Sequence, residues 1–251
     1  MKRKYFGKLV NVNNHKIHVY SEGNVLPILV FMSGGGTYFP VNDFSKLFSK
    51  MSSEFKIAVV EKAGYGFSEK SNVSRDIDTI LYETRMALKE YDINPPYILF
   101  PHSMSGIEAL YWRQKFPNEI KGIIGLDLAL PTFYEIMNLN KTIKIAKFLS
   151  KIFPKRITKD MVNEVIAVKE NAKKINKELL KDTPMLFFIS NGKGTGFKKS
   201  KWENIFYEYT KELNSKIIQL KCGHYLHNYF PEEISNTSKI FIKENIYKGK
   251  Y

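Results

Sequence analysis

The 251-residue sequence predicts an α/β fold: a doubly wound, mostly parallel eight-stranded sheet with an inserted helical segment. Three observations predict it. Short apolar runs rich in β-branched residues recur along the chain, longer segments with helical spacing separate most of them, and one long stretch breaks the alternation. With 43% hydrophobic residues the chain can bury one sizeable core.

Taken in order, the segment from Lys8 to Tyr20 alternates apolar and polar residues and breaks at Asn13-Asn14, the pattern of a hairpin. The runs Ile28 to Met32, Ile57 to Val60, Tyr97 to Phe100, Ile120 to Leu126, Met185 to Ile189 and Lys216 to Leu220 are short enough to be buried strands. Helical spacing marks Asp76 to Tyr91, Ile107 to Phe116 and Trp202 to Leu213. Between Pro131 and Thr183 the pattern is helical, with Lys-rich faces and no convincing strand. Residues 1–130 and 184–251 are therefore expected to form the α/β core, and 131–183 an insertion. Thr132 or Asn140 is expected to cap a helix there, with Pro154 and Pro184 as punctuation.

Composition excludes several classes. The formal charge of +14 invites a nucleic-acid or anionic-membrane partner, but the lysines are spread along the whole length with no aromatic-interleaved patch, which reads as solvated surface. The basic start Met1-Lys2-Arg3-Lys4 lacks the apolar run of a secretion signal, and no 18-residue apolar run predicts a membrane span. Cys222 is the single cysteine, so no intrachain disulfide can form and a reducing cytoplasm is expected. A lone thiol two residues from His224 is more simply a small core residue than a nucleophile.

The chemistry-bearing residues follow the strands. After Tyr97-Ile98-Leu99-Phe100 come Pro101-His102-Ser103-Met104-Ser105-Gly106 and then a helical run, so Ser103 sits at a sharp strand-to-helix turn. Alone, the turn is equally compatible with a helix cap made by Ser103 or Ser105. After Ile28 to Met32 comes Ser33-Gly34-Gly35-Gly36-Thr37, whose glycines let backbone N–H groups face a developing oxyanion; Gly35 and Met104 are the expected donors. After Lys216 to Leu220, Gly223 frees the backbone beside His224, which is favoured over His227 as the base. His-x-x-His has no third ligand cluster, so no metal is expected.

These segments, with Glu61-Lys62-Ala63-Gly64-Tyr65-Gly66-Phe67-Ser68 and the Pro231-Glu232-Glu233 helix start, resemble the α/β-hydrolase superfamily over most of the chain. The resemblance implies that the loop after strand three supplies an oxyanion donor, although Ser33 stands where a histidine is frequent. It also implies that the 131–183 insertion is a lid. Superfamily members usually carry the acid of the triad after strand seven, but Ser190 to Thr195 contains no carboxylate. Asp127, at the end of Ile120 to Leu126, resembles the subset with its acid after strand six, haloalkane dehalogenases among them. Those use an aspartate nucleophile, so Ser103 points instead to acyl or ester hydrolysis; Asp182 and Glu203 are weaker acid candidates.

The expected function is a cofactor-free serine hydrolase cleaving an ester or related acyl bond of a small, apolar substrate. Gly36, Tyr38, Phe39, Tyr134 and Tyr225 are candidate pocket residues. Two alternatives stay open: a small-peptide aminopeptidase, iminopeptidase or amidase, whose carboxylate anchor would come from Glu164, Glu170 or Glu178, and a weakly catalytic ligand receptor. Oligomeric state is not legible in the sequence.

Overall fold

A computed structural model describes residues 7–247 of the chain. The basic start at Met1 to Lys4, and the expectation drawn from it, lie outside the described residues. Eight strands form one sheet: β1 (Lys8–Val12), β2 (His15–Glu22), β3 (Ile28–Met32), β4 (Lys56–Glu61), β5 (Tyr97–Pro101), β6 (Ile120–Leu126), β7 (Met185–Ile189) and β8 (Ser215–Gln219). Their spatial order is β1-β2-β4-β3-β5-β6-β7-β8. The hairpin turns at Asn13 and Asn14, both left-handed with φ of 49° and 61°. Asparagine tolerates that region, and such turns match the twist of the strands they join. β2 then pairs antiparallel with β4, and every neighbour from β4 to β8 is parallel.

Helices α1 (Pro40–Phe48), α2 (Ile77–Glu90), α3 (Ser105–Lys115), α7 (Lys199–Thr210), α8 (Leu226–Tyr229) and α9 (Pro231–Phe241) belong to the α/β frame. Three more, α4 (Pro131–Ile136), α5 (Asn140–Ile152) and α6 (Lys159–Lys173), lie consecutively between β6 and β7. The sheet is doubly covered because its strands alternate faces. In β3, Ile28, Val30 and Met32 enter one core cluster with residues of α2, α3 and α7. Leu29 and Phe31 enter the other, with residues of α1 and α9. Strands buried on both faces read as continuous apolar runs, as these do.

Helix starts depart from expectation. Neither Thr132 nor Asn140 caps: α4 starts at Pro131 and α5 at Asn140, each without a side-chain cap. A proline at the first position lacks the N–H a cap would satisfy, and the Asn140 N–H is instead taken by Asn138 Oδ1 at 3.0 Å. Thr158 caps α6, accepting from the Met161 N–H at 3.3 Å. Among the described residues no helix is long and apolar enough to cross a membrane.

Phe31 centres the second cluster, stacked on Phe100 at 4.8 Å and tilted against Phe44 at 5.3 Å. Phe31→Ala is expected to lower stability by about 3–5 kcal/mol through lost transfer energy and a cavity. Urea denaturation checks this; a loss below about 1 kcal/mol would mean that the cluster is not close-packed around this ring.

Candidate active site

The carboxyl ends of β3, β5, β6 and β8 converge on one edge of the sheet, where open α/β folds bind ligands. At the end of β5, His102 pairs with Leu126 in a single bridge. Ser103 follows at φ 55°, in the left-handed region that costs a non-glycine residue about 1–3 kcal/mol. Its backbone holds the strain. The Ser103 N–H donates to the Leu126 carbonyl at 3.3 Å, and its carbonyl accepts from Gly106 at 3.0 Å and Ala129 at 2.9 Å. Ser105 is fully buried, its hydroxyl donating to the Met32 carbonyl at 2.7 Å and accepting from the His102 N–H at 3.0 Å. Neither serine caps α3, which begins after Met104 with no side-chain cap. The turn is thus no capping device, and of its two hydroxyls Ser103 is the one directed at a histidine.

That histidine is His224, on the loop after β8, whose Nε2 lies 2.8 Å from Ser103 Oγ. Its Nδ1 lies 2.6 Å from Asp127 Oδ2. A carboxylate can only accept there, so Nδ1 carries the proton and Nε2 is left to accept from the serine. Asp127 directly follows β6, itself left-handed at φ 49°, and its side chain is fully buried. Its Oδ1 accepts from the Ser190 N–H at 2.7 Å and from Trp202 Nε1 at 2.8 Å. Asp182 is exposed, and Glu203 accepts from Gln219 instead. His227 is buried with Nε2 3.2 Å from Asp43. His102 points away from Ser103, its Nε2–H donating to the His224 carbonyl at 3.1 Å. Burial, with His227 and His224 beside it, holds the His102 ring well below the ordinary histidine range, so it stays neutral.

The glycine loop lies against the elbow. A Cβ at Gly34 would meet Ser103 Cβ at 2.8 Å, and one at Gly35 would meet Met104 Cε at 2.6 Å, so this close approach admits no side chain. Among the described residues the amides of Gly35 and Met104 have no hydrogen-bond partner in the protein. Ser33 does not anchor the loop: its buried hydroxyl is unpartnered among the described residues. Tyr65 does, its hydroxyl accepting from the Gly36 N–H at 3.3 Å and donating to Glu164 at 2.7 Å. Tyr65 and Trp202 were not anticipated from the sequence; both act across many residues, and no local pattern marks them.

A cavity of about 180 Å³ opens beside Ser103 and His224, walled by Met104 and Ala129 together with Phe133, Tyr134, Met137, Val165 and Val168 of the segment between β6 and β7. Of the expected pocket residues only Tyr134 lines it. Gly36 sits one residue too far along its loop, its N–H turned to Tyr65. Tyr38 and Phe39 pack on each other at 4.2 Å, Phe39 also on Phe67 at 5.4 Å. Tyr225 covers His102 from outside at 5.0 Å, beside an open depression that reaches His224 but not Ser103. Among the described residues no carboxylate or ammonium lines the cavity. Burial pushes the Cys222 thiol up to about 11, helped by Asp127 and Glu233, so it is a thiol and not a nucleophilic thiolate. Among the described residues no group of His, Cys, Asp and Glu could hold a metal ion.

This chain has the α/β-hydrolase fold. It is similar to a Bacillus megaterium epoxide hydrolase with a TM-score of 0.73 and 15% identity, over 94% of this chain and 100% of that one. It is also similar to a serine hydrolase involved in carbazole degradation, with a TM-score of 0.68 and 13% identity over 95% and 99% of the two chains. No protein-family model matches. Two relatives, both from Bacillus subtilis (strain 168), are described as uncharacterized proteins. YbdG is 52% identical over 134 residues, 53% of this chain and 41% of that protein. YqjL is 29% identical over 131 residues, 52% and 51% of the two. The matches therefore span about half the length of these relatives or less.

Behind the glycine loop lies a buried ionic cluster. Lys62, just after β4, is paired with Glu108 of α3 at 2.7 Å and with Glu164 of α6. Burial disfavours the ammonium, yet the two carboxylates outweigh it and hold Lys62 above the ordinary lysine range. Two carboxylates share one cation: burial pushes Glu108 up to about 7 against the attraction of Lys62, and Glu164 adds to the rise. A carboxyl raised on folding binds its proton more tightly in the native state. Its stabilising contribution is complete below the unfolded value and is lost as pH rises through about 7. Measured by urea denaturation, the stability of the wild type relative to Glu108→Gln is expected to fall between pH 5 and pH 8; a constant difference would show that Glu108 titrates alike folded and unfolded.

Proposed function

We propose that the protein is a serine hydrolase that cleaves a carboxylic ester, or a related acyl bond, of a small and largely apolar substrate. The observation that carries the proposal is the line from Ser103 Oγ through His224 to the buried Asp127, at 2.8 and 2.6 Å. In this reading His224 takes the proton of Ser103 as the oxygen attacks the substrate carbonyl. The oxyanion is held by the Gly35 amide of the loop after β3 and the Met104 amide at the start of α3, whose helix dipole also favours negative charge. Asp127 fixes the imidazole tautomer and stabilises the imidazolium. His224 then protonates the leaving group, and water, activated by the same ring, releases the acyl group from Ser103. The fold neighbours described as hydrolases support a hydrolase, and the serine at the turn supports acyl chemistry over aspartate-based displacement.

The insertion 131–183 acts as the lid in this proposal. Its residues Tyr134, Met137, Val165 and Val168 supply an apolar wall, and a cavity of about 180 Å³ limits the acyl group to a small one. Among the described residues the peptidase alternative finds no carboxylate in the cavity to anchor a substrate ammonium. Glu164 is occupied by Lys62 and Tyr65, while Glu170 and Glu178 lie outside and pair with Lys173 and Lys181. The lone Cys222 supports a reducing compartment such as the cytoplasm.

Turnover of short-chain activated esters by a panel of folded variants tests the proposal. Ser103→Ala and His224→Ala are expected to lower kcat/KM by about 10⁴-fold or more, and Asp127→Asn by about 10²–10⁴-fold. Ser105→Ala, His227→Ala, Asp182→Asn and Glu203→Gln are expected to stay within about tenfold of wild type. Near-wild-type turnover in Asp127→Asn would move the acid elsewhere, and an active Ser103→Ala would end the serine mechanism.

A further inference from the structure

Helix α5 has no buried residue and rests chiefly on α6. Its outward face is apolar: Ile145, Phe148 and Ile152 are 48%, 62% and 50% exposed, and Phe153 beyond the helix is 50% exposed. Residues at i, i+3 and i+7 fall within roughly 60° of helical arc, so the three form one stripe. Cations flank it along one side and beyond its C-terminal end. Lys141, Lys144, Lys147, Lys151, Lys155 and Arg156 are all exposed, and no Asp or Glu occurs between Glu135 and Asp160. Among the described residues none of the six pairs with a carboxylate; Arg156 stacks over the Tyr38 ring at 6.0 Å.

A solvated surface accounts for the lysines but not for three large apolar side chains turned outward together. A second copy of the chain would bury the stripe only by bringing six cations against six. A nucleic acid would satisfy the cations and offer nothing to Ile145 and Ile152. A phosphate-rich surface with hydrocarbon just beneath it supplies both partners. We propose that α5 and the turn to Arg156 form a docking surface for an anionic lipid bilayer. The stripe enters the acyl boundary, and the lysine stems run along it to place their ammonium groups at the headgroup phosphates. Weighed over the whole length the cations look evenly spread; the fold shows that on this stretch they are unpaired and share an element with exposed apolar side chains. Thr142 of α5 also lines the cavity beside Ser103, with Leu139 just before it. Docking would therefore bring one wall of that cavity to the membrane, a consequence that rests on the hydrolase reading, whereas docking itself does not.

Co-sedimentation of the full chain with vesicles of phosphatidylcholine, alone or with about 30 mol% phosphatidylserine, tests the proposal. The wild type and Ser103→Ala are both expected to bind the anionic vesicles at least about tenfold more tightly than the neutral ones. Joint replacement Ile145→Ser, Phe148→Ser and Ile152→Ser is expected to weaken binding about tenfold or more with net charge unchanged. Lys144→Glu, Lys147→Glu and Lys151→Glu together should weaken it about a hundredfold. The same charge change at the remote, exposed Lys89, Lys121 and Lys198 should cost no more than about threefold. Equal binding to both vesicles, a remote variant as impaired as the α5 lysine variant, or wild-type binding by the Ile145→Ser, Phe148→Ser, Ile152→Ser variant would overturn the proposal. So would a Phe148-dependent retention on single-stranded RNA, or a Phe148-dependent dimer, in the absence of vesicle binding. Because the readout is sedimentation and not turnover, failure here is distinct from failure of the hydrolase mechanism.

Discussion

The carboxylate of Asp127 is the constraint on which the rest of the site depends. It is fully buried, and a buried charge without compensation costs several kcal/mol. Three donors compensate it, each from a different part of the chain: the Ser190 N–H after β7, the indole N–H of Trp202 on α7, and Nδ1–H of His224 after β8. Satisfying one side chain therefore ties together three separate parts of the chain. The Asp127 N–H continues the β6–β7 ladder, donating to the Phe188 carbonyl at 2.8 Å. A left-handed φ then turns the side chain out of the strand toward the histidine.

This arrangement explains how the loop after β7 can lack a carboxylate without leaving His224 unsupported. Ser190 gives its backbone N–H to Asp127, so the loop braces that carboxylate from outside. The elbow depends on the same strand end, because the Ser103 N–H is held by the Leu126 carbonyl and the Ala129 N–H by that of Ser103. Ser103 and Asp127 are thus built on one backbone frame, and His224 is positioned by both. On the opposite side the glycine loop is pressed onto Ser103 at Gly34 and tethered through Gly36 and Tyr65 to Glu164 of α6. The insertion is thereby linked to the loop that faces the serine, through a tyrosine and a buried ion cluster.

Much of the frame was legible because it rests on local periodicity and local conformational need. The apolar runs, the Asn13-Asn14 turn, the strand-turn-helix around Ser103 and the glycines facing it are each marked within a few residues. The positions of Asp127 after β6 and of His224 after β8 were legible from the order of the apolar runs along the chain. The cavity was not. Tyr38, Phe39 and Tyr225 are aromatic and close in sequence to the site loops, yet their side chains stack outside it, while Met137, Val165 and Val168 arrive from an insertion whose packing no periodicity specifies. Trp202 and Tyr65 were equally hidden, since each acts through a hydrogen bond to a residue many tens of positions away. The caps at Thr132 and Asn140 failed for a local reason, as Pro131 starts its helix without a donor to satisfy and Asn138 takes the N–H at Asn140.

The central claim is that Ser103 is an activated nucleophile, and its covalent reactivity can be read without knowing the substrate. Incubation with a fluorophosphonate probe at neutral pH, followed by proteolysis and mass spectrometry, reports which hydroxyl is phosphonylated. A single adduct on the peptide carrying Ser103, formed far more slowly in Asp127→Asn, is the expected result. No adduct on the folded protein, or an adduct on Ser105 or on a remote serine, would contradict it.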